Sequence, residues 1–459
     1  MHGRRAIAAA VPAALFATVM ALAARQAPSV RAVDENVLRE YAGVYQSGPD
    51  AFVYLQLWNE FVGFDHPGQL FAFDESGDVR ILYPTDADQF FAGPGVAIST
   101  AIESRIDFQR DAAGHIVSLT WRRDGAPPRT ARRVEIEKRE HVRFSNGNIQ
   151  LAGTLISPSS GRKHPAIILV HGSGAENREY MLPWARFLIR RGMAVLGYDK
   201  RGVGESTGDW NTASFDDLAG DVVAAFDYLK TRSDIDPAQI GLLGISQAGW
   251  IMPLAAVRAK DMAFLISISG AGVPAAETTI DQARNEMSMS GMPPQTVDQI
   301  VALLKLQYEF ARTGKGWDEY AAGRQKLITK MGPAPDTIPG TPDHPYWHFI
   351  RRLYFYDPVP TLRRLQTPTL ALWGELDNNV LAAKNQAAWE AALKAGGNRD
   401  YTLKILPKAN HDQMEAKVGS NAEMKSLQRF VPSYFTTIED WLAARIRGFG
   451  TRRQPQNLN

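Results

Sequence analysis

The stretch "GLLGISQAGW", Gly241 to Trp250, places a serine between small residues directly after an apolar run. The run "IGLLG" reads as a short buried strand, and "QAGWIMPLAAVRA" after it as a helix. Ser246 therefore sits on a sharp strand-to-helix turn, where backbone strain requires small residues two places away on either side. Gly244 and Ala248 meet that demand. The pattern G-x-S-x-G that marks such a turn lacks its last glycine here. That glycine comes one place later, at Gly249, where it lets the helix pack close to the sheet.

Further apolar runs flank this one: "AIILVHG", "MAVLGYD", "FLISISG", "TLALWGE" and "YTLKILP". Continuous runs rich in Val, Ile and Leu suit parallel strands buried on both faces. Helical patterns separate them. Ser214 with Asp217 forms a capping box, and Leu218, Val222, Val223, Phe226 and Leu229 follow at helical spacing. Strands alternating with helices predict an α/β domain with a mostly parallel central sheet, over residues 141–449. "VRFSNGNIQLAGTLISP" opens it as a hairpin, with Asn146-Gly147 in the tight turn. About a hundred residues separate "FLISISG" from the strand at Thr369, far more than a loop of roughly 2–6 residues. The text between is mostly helical and aromatic, so a helical cap inserted at about 272–360 is expected.

Ahead of this lies a different texture. From residue 34 to 133 short runs alternate in period two, as in "VSLTWRR", with polar, Gly-containing turns between them, as in "FDESGDVRIL". A small antiparallel β domain is expected, with "APPRTARR", Ala126 to Arg133, as the linker after it.

The N-terminus begins with the basic "MHGRR" and continues as an uncharged apolar run, Ala6 to Ala24, containing "ALA" at Ala21–Ala23. This is the pattern of a signal peptide over residues 1–23, with a retained membrane anchor as the alternative. Without it the chain is formally neutral, because it contributes Arg4 and Arg5 to a net charge of +2 and no acid. No strong field then favours nucleic acid or an anionic membrane. The absence of cysteine excludes disulfides, thiolate metal sites and a cysteine nucleophile. The end, "TRRQPQNLN", reads as a disordered tail.

A serine hydroxyl attacks at neutral pH only when an imidazole takes its proton. Where a serine occupies such a turn, the acid and then the histidine follow it in the chain. His344, His348 and His411 follow Ser246. The first two fall in the cap, whereas His411 follows the strand "YTLKILP" in the loop "KANHDQ". The acid belongs at the end of the preceding strand, in "LWGELDNNV", where Asp377 is preferred and Glu375 competes. Asp412 reads as a solvated neighbour of the base. The oxyanion of a tetrahedral intermediate needs N–H donors, worth about 2.7–4 kcal/mol each. The amide of Gln247, next to the nucleophile, is one, and the amide of Ser173 in "LVHGSG" is the other.

Taken together, "HGSG", "YDKRGVGEST", "GISQAGW", "LWGELDNNV" and "NHDQM" resemble the α/β-hydrolase superfamily, in the branch of bacterial esterases near the serine aminopeptidases and prolyl oligopeptidases. The resemblance covers about Val142 to Phe449. Ala248 departs from the family's elbow without disturbing the triad. In "D-x-R-G-x-G-x-S", Asp199, Arg201, Gly202, Gly204 and Ser206 match a turn beside the site. With the signal segment, the resemblance implies an exported serine hydrolase that cleaves carboxylic esters with Ser246, His411 and Asp377, without metal or organic cofactor. Its expected partner is a small ester or small peptide, with neither nucleic acid nor a membrane once the signal is cleaved. A peptidase using the same triad is the first alternative, for which Glu277, Glu286, Glu309 or Glu319 would have to hold a substrate ammonium. A non-catalytic binding protein is the second. The cap aromatics Tyr308, Trp317, Tyr320, Trp347 and Tyr354 are either an acyl-pocket wall or the cap's own core.

Overall fold

Alternate residues of the strand His164–Val170 enter two different cores. Ile167 and Leu169 join one, and Ala166, Ile168 and Val170 join the other. In this computed structural model, which describes residues 28–58, 69–159, 163–333 and 337–450, that strand lies inside an eight-stranded sheet. The expected signal segment, residues 1–23, and the end from Thr451 lie outside the described residues. The sheet comprises β9 (Glu137–Asn146), β10 (Ile149–Pro158), β11 (His164–Val170), β12 (Ala194–Tyr198), β13 (Ile235–Ile245), β14 (Phe264–Ile268), β15 (Thr369–Gly374) and β16 (Tyr401–Leu406). Their order is β16-β15-β14-β13-β11-β12-β10-β9, parallel from β16 to β12, with β10 and β9 antiparallel at the edge. Burial on both faces explains the continuous apolar runs.

Local signals act as the sequence predicts at the helix Phe215–Lys230. Ser214 Oγ accepts the Asp217 N–H at 3.1 Å, and the Asp217 carboxylate accepts the Ser214 N–H at 2.8 Å. The β9–β10 hairpin differs by one place. Asn146 pairs with Ile149, so the turn is Gly147-Asn148, with the positive φ of +59° at Gly147. The Asn146 side chain instead donates to Asp221 at 2.9 Å.

The N-terminal strands form a closed barrel: β1 (Gly43–Gly48), β2 (Ala51–Trp58), β3 (Gln69–Asp74), β4 (Val79–Asp86), β5 (Gln89–Ala92), β6 (Ser104–Arg110), β7 (Ile116–Arg123) and β8 (Arg129–Val134). Each strand is antiparallel to its neighbours, and β8 returns to pair with β1, Val44 opposite Val134. "APPRTARR" is therefore not a linker: its second half is the strand that closes the barrel. Ala131 faces the interior while the arginines around it face outward or to the rim, which removes the apolar alternation that marks a strand. Closure leaves no edge for pairing with another chain. Leu38 and Tyr41 of the helix Glu35–Tyr41 plug one end.

The barrel's outer face is apolar and buried. Phe52, Tyr54, Phe71, Phe73 and Ile81 share one core with Phe187, Phe430, Tyr434 and Trp441 of the larger domain. Between β14 and β15 lie the helices Ala275–Met289, Pro294–Thr313, Trp317–Met331, Tyr346–Leu353 and Val359–Arg364. Their own core includes Leu303, Phe310, Tyr320, Trp347 and Ile350.

Candidate active site

Ser246 follows the last residue of β13 with φ +57°, a strained value for a residue with a side chain, and its N–H bonds to Ile268 O at 2.9 Å. Glycines on both sides permit the turn. A Cβ on Gly244 would lie 2.5 Å from Ala248 Cβ and 2.8 Å from Val170 O. A Cβ on Gly249 would lie 2.6 Å from Gly270 Cα and 2.8 Å from Ala271 N. Gly249 thus lets the helix Ala248–Arg258 approach the end of β14, while Ala248 fits because Gly244 leaves room for its methyl group.

His411 enters the same region from the loop after β16. Its Nδ1 lies 3.0 and 2.9 Å from the two carboxylate oxygens of Asp377, which is 3% exposed. Asp377 also accepts the N–H groups of Asn379 at 2.9 Å and Val380 at 2.8 Å, so its carboxylate is fixed before it meets the imidazole. Gly374 brings the two segments together: a Cβ there would sit 2.3 Å from Asn410 O and 2.4 Å from Ala409 O. Glu375 is engaged elsewhere, accepting the Lys408 N–H at 2.9 Å. Burial disfavours the charged form of His411, but the Asp377 charge and hydrogen bond outweigh it, with Asp412 adding to them, and the pKa is raised.

Asp412 is not a solvated neighbour. It is 8% exposed, and burial raises its pKa. The cause is the turn in which the Asn410 side chain accepts the N–H groups of Asp412 at 3.1 Å and Met414 at 2.9 Å, which folds the loop inward.

Ser246 and His411 line one cavity of about 540 Å³ with Ser173 and Gln247. Among the described residues the N–H groups of Ser173 and Gln247 make no hydrogen bond. Two buried groups, which the sequence reading missed, hold these segments. Lys200 Nζ donates to Gly172 O at 2.7 Å, Gly174 O at 2.9 Å and Gln247 Oε1 at 3.2 Å, tying the two segments together. The Glu176 carboxylate accepts the Gly172 N–H at 2.7 Å. Both residues lie beside quoted motifs, yet no local pattern distinguishes a buried lysine from a solvated one. His171 is structural. Burial, with Lys200 nearby, pushes its pKa down to about 3, and its Nε2 donates to Tyr198 O.

The "YDKRGVGEST" segment is built as a turn. The Asp199 carboxylate takes Arg178 at 2.6 and 3.0 Å and the Glu205 N–H at 2.9 Å, while Arg201 grips Asp221 at 2.7 Å through two nitrogens. A Cβ on Gly204 would lie 2.3 Å from Asp199 Oδ2.

The cavity lining also includes Phe215, Leu218, Trp250, Phe349, Leu353 and Tyr354, together with the polar Thr278, Thr279, Gln282 and Asn379. Of the cap aromatics singled out in the sequence, Tyr354 alone belongs to it. Tyr308, Tyr320 and Trp347 are buried in the cap's core, and Trp317 packs against them. None of Glu277, Glu286, Glu309 and Glu319 lines the cavity. Glu277 pairs with Lys384 and Glu309 with Arg312.

The family model described as serine aminopeptidase, S33, matches residues 161–416. The chain is 24% identical over 268 residues to esterase EstD of Thermotoga maritima, covering 57% of each protein. It is 23% identical over 323 residues to dipeptidyl-peptidase 5 of Porphyromonas gingivalis, covering 67% of this chain and 38% of that one. The matches thus span only part, about half or less, of these curated relatives. Among solved structures it is similar to a Pyrococcus furiosus esterase, with TM-score 0.43, 16% identity, and coverage of 68% of this chain and 92% of that one. With the α/β hydrolase GrgF of a Penicillium species the TM-score is 0.44 at 19% identity, covering 67% and 99%. The chain belongs to the serine aminopeptidase S33 family and has the α/β-hydrolase fold.

Proposed function

We propose that this enzyme hydrolyses carboxylic esters through an acyl-enzyme on Ser246. One observation carries the reading: a partly apolar cavity collects Ser246, His411, Ser173 and Gln247, and among the described residues its one lining carboxylate, Glu176, holds the loop at Gly172. A substrate ammonium finds no free carboxylate there, whereas an acyl chain finds Trp250, Leu218 and Leu353.

The proposed steps are as follows for these residues. Asp377 on Nδ1 sets the tautomer of His411 and leaves Nε2 to accept the Ser246 proton. The Ser246 oxygen bonds to the ester carbon, and the oxyanion is held by the amides of Ser173 and Gln247. His411 returns the proton to the alcohol oxygen as the C–O bond breaks. Water, deprotonated by His411, then attacks the acyl carbon, and His411 returns that proton to the Ser246 oxygen as the acyl C–O bond breaks and the acid leaves. The name of the Thermotoga relative agrees with ester chemistry, and the name of the Porphyromonas relative keeps amide cleavage as the second reading.

The test is kcat/KM for p-nitrophenyl esters of two to twelve carbons against the matching anilides, with Ser246→Ala as control. Faster anilide cleavage would replace the ester reading by the peptidase one. Fluorophosphonate labelling that survives Ser246→Ala would remove Ser246 from its role.

The proposal includes export, supported by the basic start, apolar run and "ALA" exit of residues 1–23. A secreted or periplasmic form beginning near Ala24 by mass spectrometry is the expected result. Retention of Met1 would contradict it.

A further inference from the structure

The barrel interior is filled unevenly. At the end plugged by the helix Glu35–Tyr41, Tyr41, Phe90 and Phe108 pack ring against ring with centroids 4.8–5.3 Å apart. At the other end three strands present small inward residues, Ala72, Ser104 and Ala131. These stand opposite Arg80, Arg123 and Leu119 on the neighbouring strands. A cavity of about 230 Å³ results. An eight-stranded barrel is wide enough either to be filled by side chains or to hold one small ligand, and barrel mouths are common ligand sites.

The chemistry of this mouth is specific. Its apolar side is Val53, Leu119 and the half-buried Trp121. Arg80, 6% exposed, also lines it. Its Nε faces Glu103 at 3.4 Å, and its Nη1 donates to Val79 O at 2.9 Å and Gln428 O at 2.6 Å. Among the described residues no hydrogen bond is made by its Nη2. Glu103 is shared with Arg123, so one carboxylate serves two guanidinium groups. Arg129 at the rim donates to Ser47 Oγ at 2.6 Å and, among the described residues, has no carboxylate partner. Two acids, Asp74 and Asp78, also line the mouth. Asp74 accepts the N–H groups of Ser76 at 2.8 Å and Asp78 at 3.1 Å, and Asp78 faces Arg429 at 3.6 Å.

We propose that the barrel mouth is a second binding site, for a small organic acid with an apolar or aromatic body. Its carboxylate takes the unpaired donors of Arg80 and Arg129, and its body lies on Trp121 and Leu119 in the space left by Ala72 and Ala131. The site is separate from the cavity at Ser246 and does not depend on the ester reading.

Calorimetric titration of the full chain with benzoate, benzyl alcohol and inorganic phosphate tests this, with Ser246 blocked by a fluorophosphonate so that the catalytic cavity is occupied. Benzoate is expected to bind saturably, at least about tenfold more tightly than either of the other two, since a charge-assisted hydrogen bond is worth that much. Arg129→Ala, at an exposed rim position, is expected to weaken benzoate by about tenfold while leaving ester turnover of the unblocked enzyme unchanged. Ala131→Leu, which fills the space, is expected to abolish binding, and Trp121→Phe to remove any fluorescence quenching by the ligand. Benzoate binding that is absent, unchanged in both Arg129→Ala and Ala131→Leu, or matched by benzyl alcohol or phosphate would overturn the proposal.

Discussion

The Ser269 hydroxyl donates to the main-chain carbonyl of His411 at 2.8 Å, joining the end of β14 to the loop that carries the imidazole. Ser269 is fully buried with φ +49°, and Gln413, also at positive φ, donates its Nε2 to the same hydroxyl at 2.9 Å. The strand beside the nucleophile's own strand thus holds the backbone of the proposed base. Removing the hydroxyl leaves His411 O and Gln413 Nε2 only long contacts of 3.4 and 3.5 Å, a loss of about 1–3 kcal/mol. Ser269→Ala is therefore expected to lower kcat by roughly tenfold or more with KM nearly unchanged. A fall in melting temperature at unchanged kcat would make Ser269 a structural residue only.

The pH dependence follows from the His411–Asp377 pair. Burial opposes the imidazolium, but Asp377 at 2.9 Å outweighs it and the pKa rises above the ordinary value of about 6.5. The base is the neutral form, so kcat/KM should increase with pH through a midpoint above about 6.5. Stability runs the other way. The pair's contribution is fully present below the unfolded pKa and is lost as pH rises through the folded one. Asp377→Asn removes the charge that raises the pKa and leaves burial to act alone. The acid limb should then move down, and kcat should fall on the order of 10,000-fold, as when other such triads lose their carboxylate. A pH–rate profile for both proteins checks the direction.

The shifted glycine of the elbow makes a paired prediction. Gly249→Ala would place a methyl group within 2.6 Å of Gly270 Cα, a backbone atom that cannot rotate away. Forcing extra volume into such a contact costs about 1–3 kcal/mol or more, so the variant should be destabilised and displaced at Ser246. Ala248→Gly restores the common motif yet should cost under about 1 kcal/mol and leave activity within roughly twofold. Thermal unfolding and ester turnover of the two variants decide it. Equal damage from both would refute the assignment of the steric role to Gly249.

What the sequence made legible, and what it hid, has a physical pattern. Strands such as His164–Val170 are buried on both faces, and their apolar text survives without context. Ser246 and Asp377 stand out because each follows such a strand, whereas His411 follows the half-buried edge strand β16; the structure brings the three to one region. Residues whose role comes from the opposite side of a contact left no local trace. Lys200 and Glu176 are read only through the loop at Gly172 that they hold, and Asp412 only through the turn that buries it. Period-3.6 spacing could not separate Trp347, in the cap's core, from Tyr354, on the cavity wall, since both face an apolar environment. Barrel closure depended on Arg129–Val134, whose apolar content is one inward alanine and a valine.

The barrel and the larger domain are expected to unfold as one unit despite their different architectures. Their side chains share a core, with Phe52, Tyr54, Phe71 and Phe73 on one side and Phe187, Phe430 and Tyr434 on the other. Main-chain bonds reinforce it: Val79 N to Gln428 O at 2.9 Å, Val96 N to Leu427 O at 2.7 Å and Phe430 N to Gly77 O at 3.0 Å. The same segment then pairs with the histidine loop, Glu415 N to Arg429 O at 2.8 Å and Val431 N to Gln413 O at 2.9 Å. Each large apolar side chain uncovered by removing the barrel costs about 1.5–3 kcal/mol, so losing several is comparable to the usual total of roughly 5–15 kcal/mol. A chain beginning at Glu137 is therefore expected to be insoluble or to lack the cooperative transition of the whole. Scanning calorimetry of the intact chain should give a single peak, and two separated peaks, with ester turnover surviving the first, would show that the barrel is dispensable to the site.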